Sequence, residues 1–470
     1  MSTLTTARRP PLATMNALLS PRTVVVVGSH RTPGDPAGTY HQALRMGQFC
    51  GTLAQVDPTG ASDGFRSVGE VPWRPDLAIL AVPGPHLLAA LDDCADAGVR
   101  AVAVVTATSH DEGLQLSARA SRRGLLMIGP GSLGVLNPLP LVRLNATAIR
   151  HGVRAAGAVA EQDAEQDAGR VAGVAVAVRG SLLATQLLEE IWRRSLPLSG
   201  FVDLGDAANV SAQQVMSCWG HGTATQVVIL GSSCLTAGLT AEVLSRVVPG
   251  SPPHPPLVVL DEGNLAPAQR RCLSALGVIV TESVAESLDV AKLLITQTPP
   301  EGSGLLIISD DQAGAMAAAR TAALAGAELC HTDHPLRRTI DSLLPASSWS
   351  EGVLYLGDQV GPEHYELAVR ALRDDGSVHA ALLIQSRTGS RHGDDMVAAL
   401  HQLLSACSRA HATGMLMAAA LVDSPAPADG LPWYPDEQKA VRALVLASTG
   451  GAGHRPVGGG QDQRGDAPQP

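Results

Sequence analysis

The sequence predicts an α/β chain of parallel sheets covered by helices, divided into about three successive domains. Three observations carry this. Short β-branched runs end in Gly or Pro turns and alternate with helical stretches. The chain has 470 residues, more than a single core usually serves. Aromatic residues make up only 3% of a chain that is 45% hydrophobic, so Ala, Val, Leu and Gly must fill the interior. Buried parallel strands under Ala-rich helices have that composition.

The elements follow in order. Residues 1–20 show little periodicity and read as a flexible arm. A first domain is expected over 21–146. Its first strand is the run Thr23-Val24-Val25-Val26-Val27, stopped by Gly28-Ser29-His30-Arg31-Thr32-Pro33-Gly34. Further strands are expected at 52–56, 77–82, 101–105 and 125–128, with helices at 86–97 and 111–123 between them. Strands and helices alternating at this spacing give a parallel sheet by right-handed crossovers. Residues 147–170 break the pattern around the polar stretch Glu161-Gln162-Asp163-Ala164-Glu165-Gln166-Asp167 and read as a linker. A second α/β series fills 171–296, with strands at 171–178, 226–230, 257–260 and 278–281 and a helix at 182–194. A third fills 303–447, with strands at 305–308, 353–356 and 380–384 and a helix after Gly314. From 448 to 470 Gly, Gln, Asp and Pro dominate, and a disordered tail is expected.

Charge and cysteines exclude several classes. Basic residues number 34 against 44 acidic, a net charge of -10, which argues against a nucleic-acid binder. The 7 cysteines form no CxxC pair and no CxxC…HxxxH array, so no metal site is expected, and their scatter fits reduced thiols in the cytoplasm. Neither a signal peptide nor an apolar run of about 20 residues is visible, so no membrane partner is expected.

In an open parallel sheet, ligands bind beyond the carboxyl ends of the strands. Three such ends carry a resemblance. They are Pro21-Arg22-Thr23-Val24-Val25-Val26-Val27-Gly28 with Arg31-Thr32-Pro33-Gly34, then Asp76-Leu77-Ala78-Ile79-Leu80-Ala81-Val82-Pro83, then Ile128-Gly129-Pro130-Gly131-Ser132-Leu133-Gly134-Val135-Leu136-Asn137-Pro138. In order and spacing they resemble the CoA-binding domain of the NDP-forming acyl-CoA synthetases, which include the succinyl-CoA synthetase α subunits; the third follows the family's GPNCLGxxNP pattern. Residues 174–187 are similar to its VALVSQSGALGTALL segment, and Phe201-Val202-Asp203-Leu204-Gly205 to its FVSLG. The likeness runs over roughly residues 21–425.

The resemblance implies a Rossmann-like CoA-binding domain followed by two flavodoxin-like parallel-sheet domains. It implies CoA or acyl-CoA as ligand, held by Gly28, Ser29, Arg31, Val82, Pro83, Thr106, Gly129 and Pro130. Free N–H groups and the helix dipole at such a Gly turn attract phosphates. It also implies a homo-oligomer or heteromer, with a separate ATP-grasp subunit as one candidate partner. Three positions depart from the pattern: His30 replaces a small residue, Thr59 stands where a Lys often follows the second strand, and Gly131-Ser132 replaces Asn-Cys.

The family's phosphohistidine lies in a loop resembling SSHTGALAG. Here the corresponding run is Leu260-Asp261-Glu262-Gly263-Asn264 and then 266–278, without histidine. His254 precedes the strand, at its wrong end. The family's Ser-Gln-Ser-Gly turn reads Val178-Arg179-Gly180-Ser181, where Gly180 and Ser181 form a weaker anion candidate. The Glu that orients the phosphohistidine is replaced within Gly231-Ser232-Ser233-Cys234. No catalytic residue is therefore assigned. The expectation is a degenerate acyl-CoA synthetase-like protein with a scaffold or regulatory role. The rivals are an active α-type subunit of a synthetase or CoA transferase, and a purely structural protein. The pair Asp310-Asp311 reads as a solvated turn, Cys234 as a buried structural thiol and His110-Asp111-Glu112 as a helix-capping run. His392 with Asp394 and Asp395 reads as solvated surface, and Ser181 lacks the Gly-x-Ser-x-Gly elbow of hydrolases.

Overall fold

A computed structural model describes residues 12–29, 35–60, 64–149, 173–220, 224–235, 255–300, 302, 304–331, 335–357, 360–375, 377–386, 393–409, 415–422 and 431–452. The first sheet holds β1 (Thr23–Val27), β2 (Thr52–Val56), β3 (Leu77–Leu80), β4 (Ala101–Val104) and β5 (Leu126–Ile128), in the order β2-β1-β3-β4-β5 and parallel throughout. Strands β3 and β4 are buried along their whole length, as continuous apolar runs require when helices cover both faces. Helices Pro36–Met46, Leu87–Asp96 and His110–Arg122 make crossovers. The last is launched by a capping box in which Ser109 and Glu112 bond reciprocally, so the acidic run after His110 is the cap read from the sequence.

The second sheet runs β12-β11-β10-β8-β9-β6-β7, from β6 (Gly134–Asn137), β7 (Leu144–Thr147), β8 (Gly173–Val178), β9 (Leu198–Asp203), β10 (Thr225–Gly231), β11 (Leu257–Leu260) and β12 (Ile279–Thr281). Strands β8 to β12 are parallel; β6 is antiparallel to both β9 and β7. The third sheet holds β13 (Gly304–Ser309), β14 (Glu328–Leu329), β15 (Ser348–Ser350), β16 (Val353–Tyr355), β17 (Ala380–Ser386), β18 (Leu416–Val422) and β19 (Trp433–Tyr434). Its order is β15-β16-β13-β17-β18-β19, with β14 also on β13 and β15 antiparallel.

Apart from the two-residue β14, the parallel parts of all three sheets share one topology. Taken in chain order within each, the strands lie second, first, third, fourth, fifth: β2-β1-β3-β4-β5, β9-β8-β10-β11-β12 and β16-β13-β17-β18-β19. The order reverses between the first and third strands, and a crevice opens there at the carboxyl edge. The molecule thus has three such points, at β1/β3, β8/β10 and β13/β17. The α/β class read from the sequence is borne out.

Two readings need correction. Part of the expected arm is a helix, Leu12–Leu19, with Met15, Ala17, Leu18 and Leu19 buried in the core that joins the first and second sheets. Each fully buried Leu or Met there contributes about 1.5–3 kcal/mol, enough to hold a short helix. The expected first domain also runs too long, because the hairpin β6–β7 hydrogen-bonds into the second sheet through Val135 and Leu136 opposite Val202 and Phe201. Most of the expected linker and tail, with Arg31, His30, His254 and His392, lie outside the described residues.

The second and third sheets share one core, to which Phe201, Leu288, Ile307, Leu382 and Leu444 belong. The buried Gln297 amide both donates to and accepts from the backbone of Met417, at 2.7 and 2.6 Å. Arg194 pairs with Asp289 at 2.6 Å, and Tyr434 donates to Asp289 O at 2.7 Å.

Candidate functional site

At the β1/β3 edge, Gly28 has φ +147°, and a Cβ there would lie 2.6 Å from Ala81 O. Only glycine lets the ends of β1 and β3 approach this closely. Its amide donates to Val56 O at 2.9 Å, tying in β2. Ser29 Oγ donates to Asp35 Oδ2 at 3.3 Å, just ahead of the helix Pro36–Met46. Thr106 Oγ1 donates to Val82 O at 2.7 Å, linking the ends of β3 and β4, and Pro83 is exposed beside them. Gly28, Ser29, Val82, Pro83 and Thr106 therefore gather along one edge.

Gly129 and Pro130 are placed differently. Both are buried under the loop that follows β9: Gly129 N donates to Leu204 O at 2.8 Å, and Asp206 N donates to Pro130 O at 3.0 Å. A Cβ on Gly129 would reach Val104 O at 2.1 Å, and one on Gly205 would reach Gly129 Cα at 2.5 Å. They form the joint between the first two sheets.

At the β8/β10 edge, Gly180 (φ +105°) precedes the helix Ser181–Arg193, whose first residue Ser181 is exposed. The Gly180 amide is already engaged by Asp203 Oδ1 at 3.1 Å. Asp203, fully buried, also accepts from Gly205 N at 3.0 Å and Leu133 N at 2.7 Å. Burial pushes its carboxyl pKa up, against the three amides that pull it down; the charge of Asp206 adds to the rise. Ser132, at the Cys position of the family pattern, supports this tie by donating to Asp203 O. Arg179 Nη1 donates to Gly205 O at 2.8 Å.

A second carboxylate reaches the same edge from β11. Glu262 Oε1 accepts from both the amide and the hydroxyl of Ser233, at 3.0 and 2.8 Å. It lies 2.6 Å from where a Cβ on Gly231 would be. A carboxylate thus reaches the end of β10 from the neighbouring strand. The connection 261–266 between β11 and the helix Pro267–Ala275 is short, and Asp261 Oδ1 closes it by accepting from Gly263 N and Leu265 N. No described residue between 173 and 300 is a histidine; His221 and His254 of that stretch lie outside the described residues. Cys234 is buried, and burial pushes its thiol up to about 12, which leaves no thiolate at neutral pH.

At the β13/β17 edge, Asp311 caps the helix Gln312–Leu324 through Ala313 N at 3.0 Å. Asp310 is half-buried and accepts from Ser386 N at 2.8 Å, so the reading of a solvated turn fails for it. Burial, with the charge of Asp311 adding, raises its pKa to about 6.

Sequence reasoning missed Asp203 and Glu262 as ties. A signal existed for each: Asp203 takes the Ser position of the FVSLG pattern, and Glu262 stands two residues past the end of β11. Among the described residues, no group of three or more His, Cys, Asp or Glu could hold a metal ion, and no helix is long and apolar enough to cross a membrane.

Comparisons with known proteins agree with this architecture. Residues 22–138 match the family described as CoA binding domain. The chain is 25% identical over 403 residues, 80% of its length, to an ADP-forming acetate–CoA ligase I of Archaeoglobus fulgidus, of which it covers 55%. It is 21% identical over 467 residues to the α subunit of the ADP-forming acetate–CoA ligase I of Pyrococcus furiosus, covering 92% of this chain and 96% of that subunit. Against three other curated relatives it spans only 49% to 64% of their length. A solved structure, the apo form of a dinucleotide-forming acetyl-coenzyme A synthetase 1 of Ca. Korarchaeum cryptofilum, shares the fold with a TM-score of 0.79 at 18% identity, covering 94% of this chain and 98% of that one. Along most of its length the chain is accordingly similar to ADP-forming acetate–CoA ligases, and its residues 22–138 match a CoA binding domain.

Proposed function

We propose that this chain is an acyl-CoA synthetase-like protein that holds CoA or acyl-CoA at the β1/β3 edge and carries no phosphohistidine relay. Gly28, Ser29, Val82, Pro83 and Thr106 line the CoA site in this reading, with Arg31 as an added cation. Gly129 and Pro130 act by fixing the joint behind it. The observation that carries the loss of the relay is the short connection 261–266, tied by Asp261 and without a histidine. A relay needs a nucleophile to carry the phosphoryl group. Asp203 supports the same conclusion, since its carboxylate holds an amide that a phosphate would need. The role left is a scaffold or regulator that senses acyl-CoA, in a cytoplasmic homo-oligomer or heteromer.

The test is incubation with γ-labelled ATP, alone and with an ATP-grasp subunit. No label on this chain is expected. One observation favours a second reading: the chain spans 96% of an α subunit that by its name belongs to a larger assembly. Acid-labile label on a histidine of this chain would establish that reading, an active α-type subunit, and remove the first.

A further inference from the structure

The edge strand β2 ends at Val56, and its loop turns through Asp57, Thr59 and Gly60. Asp57 Oδ1 accepts from the Thr59 amide and hydroxyl at 3.0 and 2.6 Å, so Thr59 faces back into the turn. Gly60 has φ +65°, and a Cβ on it would meet Nε, Cζ and Cδ of Arg66 at 3.1, 3.3 and 3.5 Å. The guanidinium thus lies against the glycine. The backbone of Arg66 is fixed on both sides: its amide donates to Glu70 Oε2 at 2.7 Å, and its neighbour Phe65 bridges to Val56 and accepts from Asp57 N at 2.8 Å. Among the described residues the Arg66 side chain makes no ion pair or hydrogen bond, and the residue is exposed. The result is a cation with a fixed stem and an unused planar fork at the carboxyl end of β2. That end adjoins the β1 turn, whose Gly28 amide bonds Val56 O.

In dinucleotide-binding parallel sheets, the end of the strand next to β1 faces the ribose of the bound nucleotide, and an Arg nearby accommodates a phosphate on that ribose. CoA differs from its dephospho form only by a 3′-phosphate on the ribose. We propose that Arg66 is the specificity residue for this 3′-phosphate, laid against Gly60 in place of a basic residue at Thr59. The inference rests on the CoA site proposed above. A planar guanidinium suits a phosphate bidentately, which a lysine ammonium does not.

The experiment is calorimetric titration of the full chain with CoA and with 3′-dephospho-CoA, for the wild type, Arg66→Ala and Arg66→Lys. The wild type should prefer CoA by about tenfold or more, the scale of a charged hydrogen-bonded contact. Arg66→Ala should erase that preference while leaving the dephospho-CoA affinity unchanged, and Arg66→Lys should restore part of it. A preference that survives in Arg66→Ala, or a wild type that binds both ligands equally, overturns the assignment of Arg66 but leaves the CoA site standing. A wild type that binds neither removes the CoA reading and this inference with it.

Discussion

The β1/β3 and β8/β10 edges are built on the same strand order, and each places a positive-φ glycine before a helix. They differ in what meets that glycine. Gly28 is hemmed in by the backbone of Ala81 and the side chain of Ala37, whose O and Cβ lie 2.6 and 3.0 Å from a notional Cβ, and its own amide is used within the sheet. Gly180 has open space around it, yet its amide is held by the buried Asp203. One edge is kept clear by close backbone packing; the other is closed by side chains from β9 and β11. Topology makes the crevice, and local carboxylates decide whether an anion can enter it.

The largest effect is expected at Asp203. Asp203→Ala leaves three amides, the buried ones of Leu133 and Gly205 and the half-buried one of Gly180, without their acceptor. The cost should be about 3–5 kcal/mol, read by chemical denaturation, and millimolar phosphate should recover part of it by occupying the vacated amides. If phosphate has no effect on the variant, the carboxylate is not standing in an anion's place. The paired glycine test comes next. Gly28→Ala should cost about 2–3 kcal/mol and abolish CoA binding, because a backbone oxygen has to move. Gly180→Ala, with nothing within 4 Å, should cost only about 1 kcal/mol of backbone strain. Equal costs would dissolve the contrast between the two edges.

The third edge extends the comparison. The folded state holds the Asp310 proton more tightly than the usual carboxyl value of 3.8, at about 6. A raised value favours the fold at low pH, so stability should decline as pH rises from about 4 through about 6. Asp310→Asn keeps an acceptor for Ser386 N and should remove the decline, gaining about 1–2 kcal/mol over wild type at pH 7 after allowance for solvent screening. Parallel unfolding curves for the two proteins across that range would contradict the assignment. The smallest effect belongs to Glu262→Gln, where an exposed tie to Ser233 weakens. A loss below about 1 kcal/mol is expected in denaturation, with CoA affinity unchanged.

What the sequence made legible follows from how local each signal was. Strands β1, β3, β4, β8, β13 and β17 are apolar runs that end in turns, and they stand where the sequence places them, within a residue or two. The helix Leu12–Leu19 is short, and its reason to exist is the core it enters from far along the chain. The hairpin β6–β7 pairs with β9, more than 60 residues later, and its prolines at 138 and 140 disguise it as loop. The same limit applied to the site. Gly28 and Thr106 stand at strand ends, where turn chemistry is local and shows in the sequence. Asp203 and Glu262 act on Gly180 and Ser233, partners 23 and 29 residues away, and no spacing rule announces such ties.

The most direct measurement is a thermal unfolding series of the wild-type chain in CoA and, separately, in inorganic phosphate. A ligand at 100 times its Kd that binds only the folded state adds about 2.7 kcal/mol. CoA should raise the Tm with the logarithm of its concentration above Kd, and phosphate at matched ionic strength should leave it unmoved. A shift with phosphate and none with CoA would mean that the closed edge is the open one, and the account would be wrong at its centre.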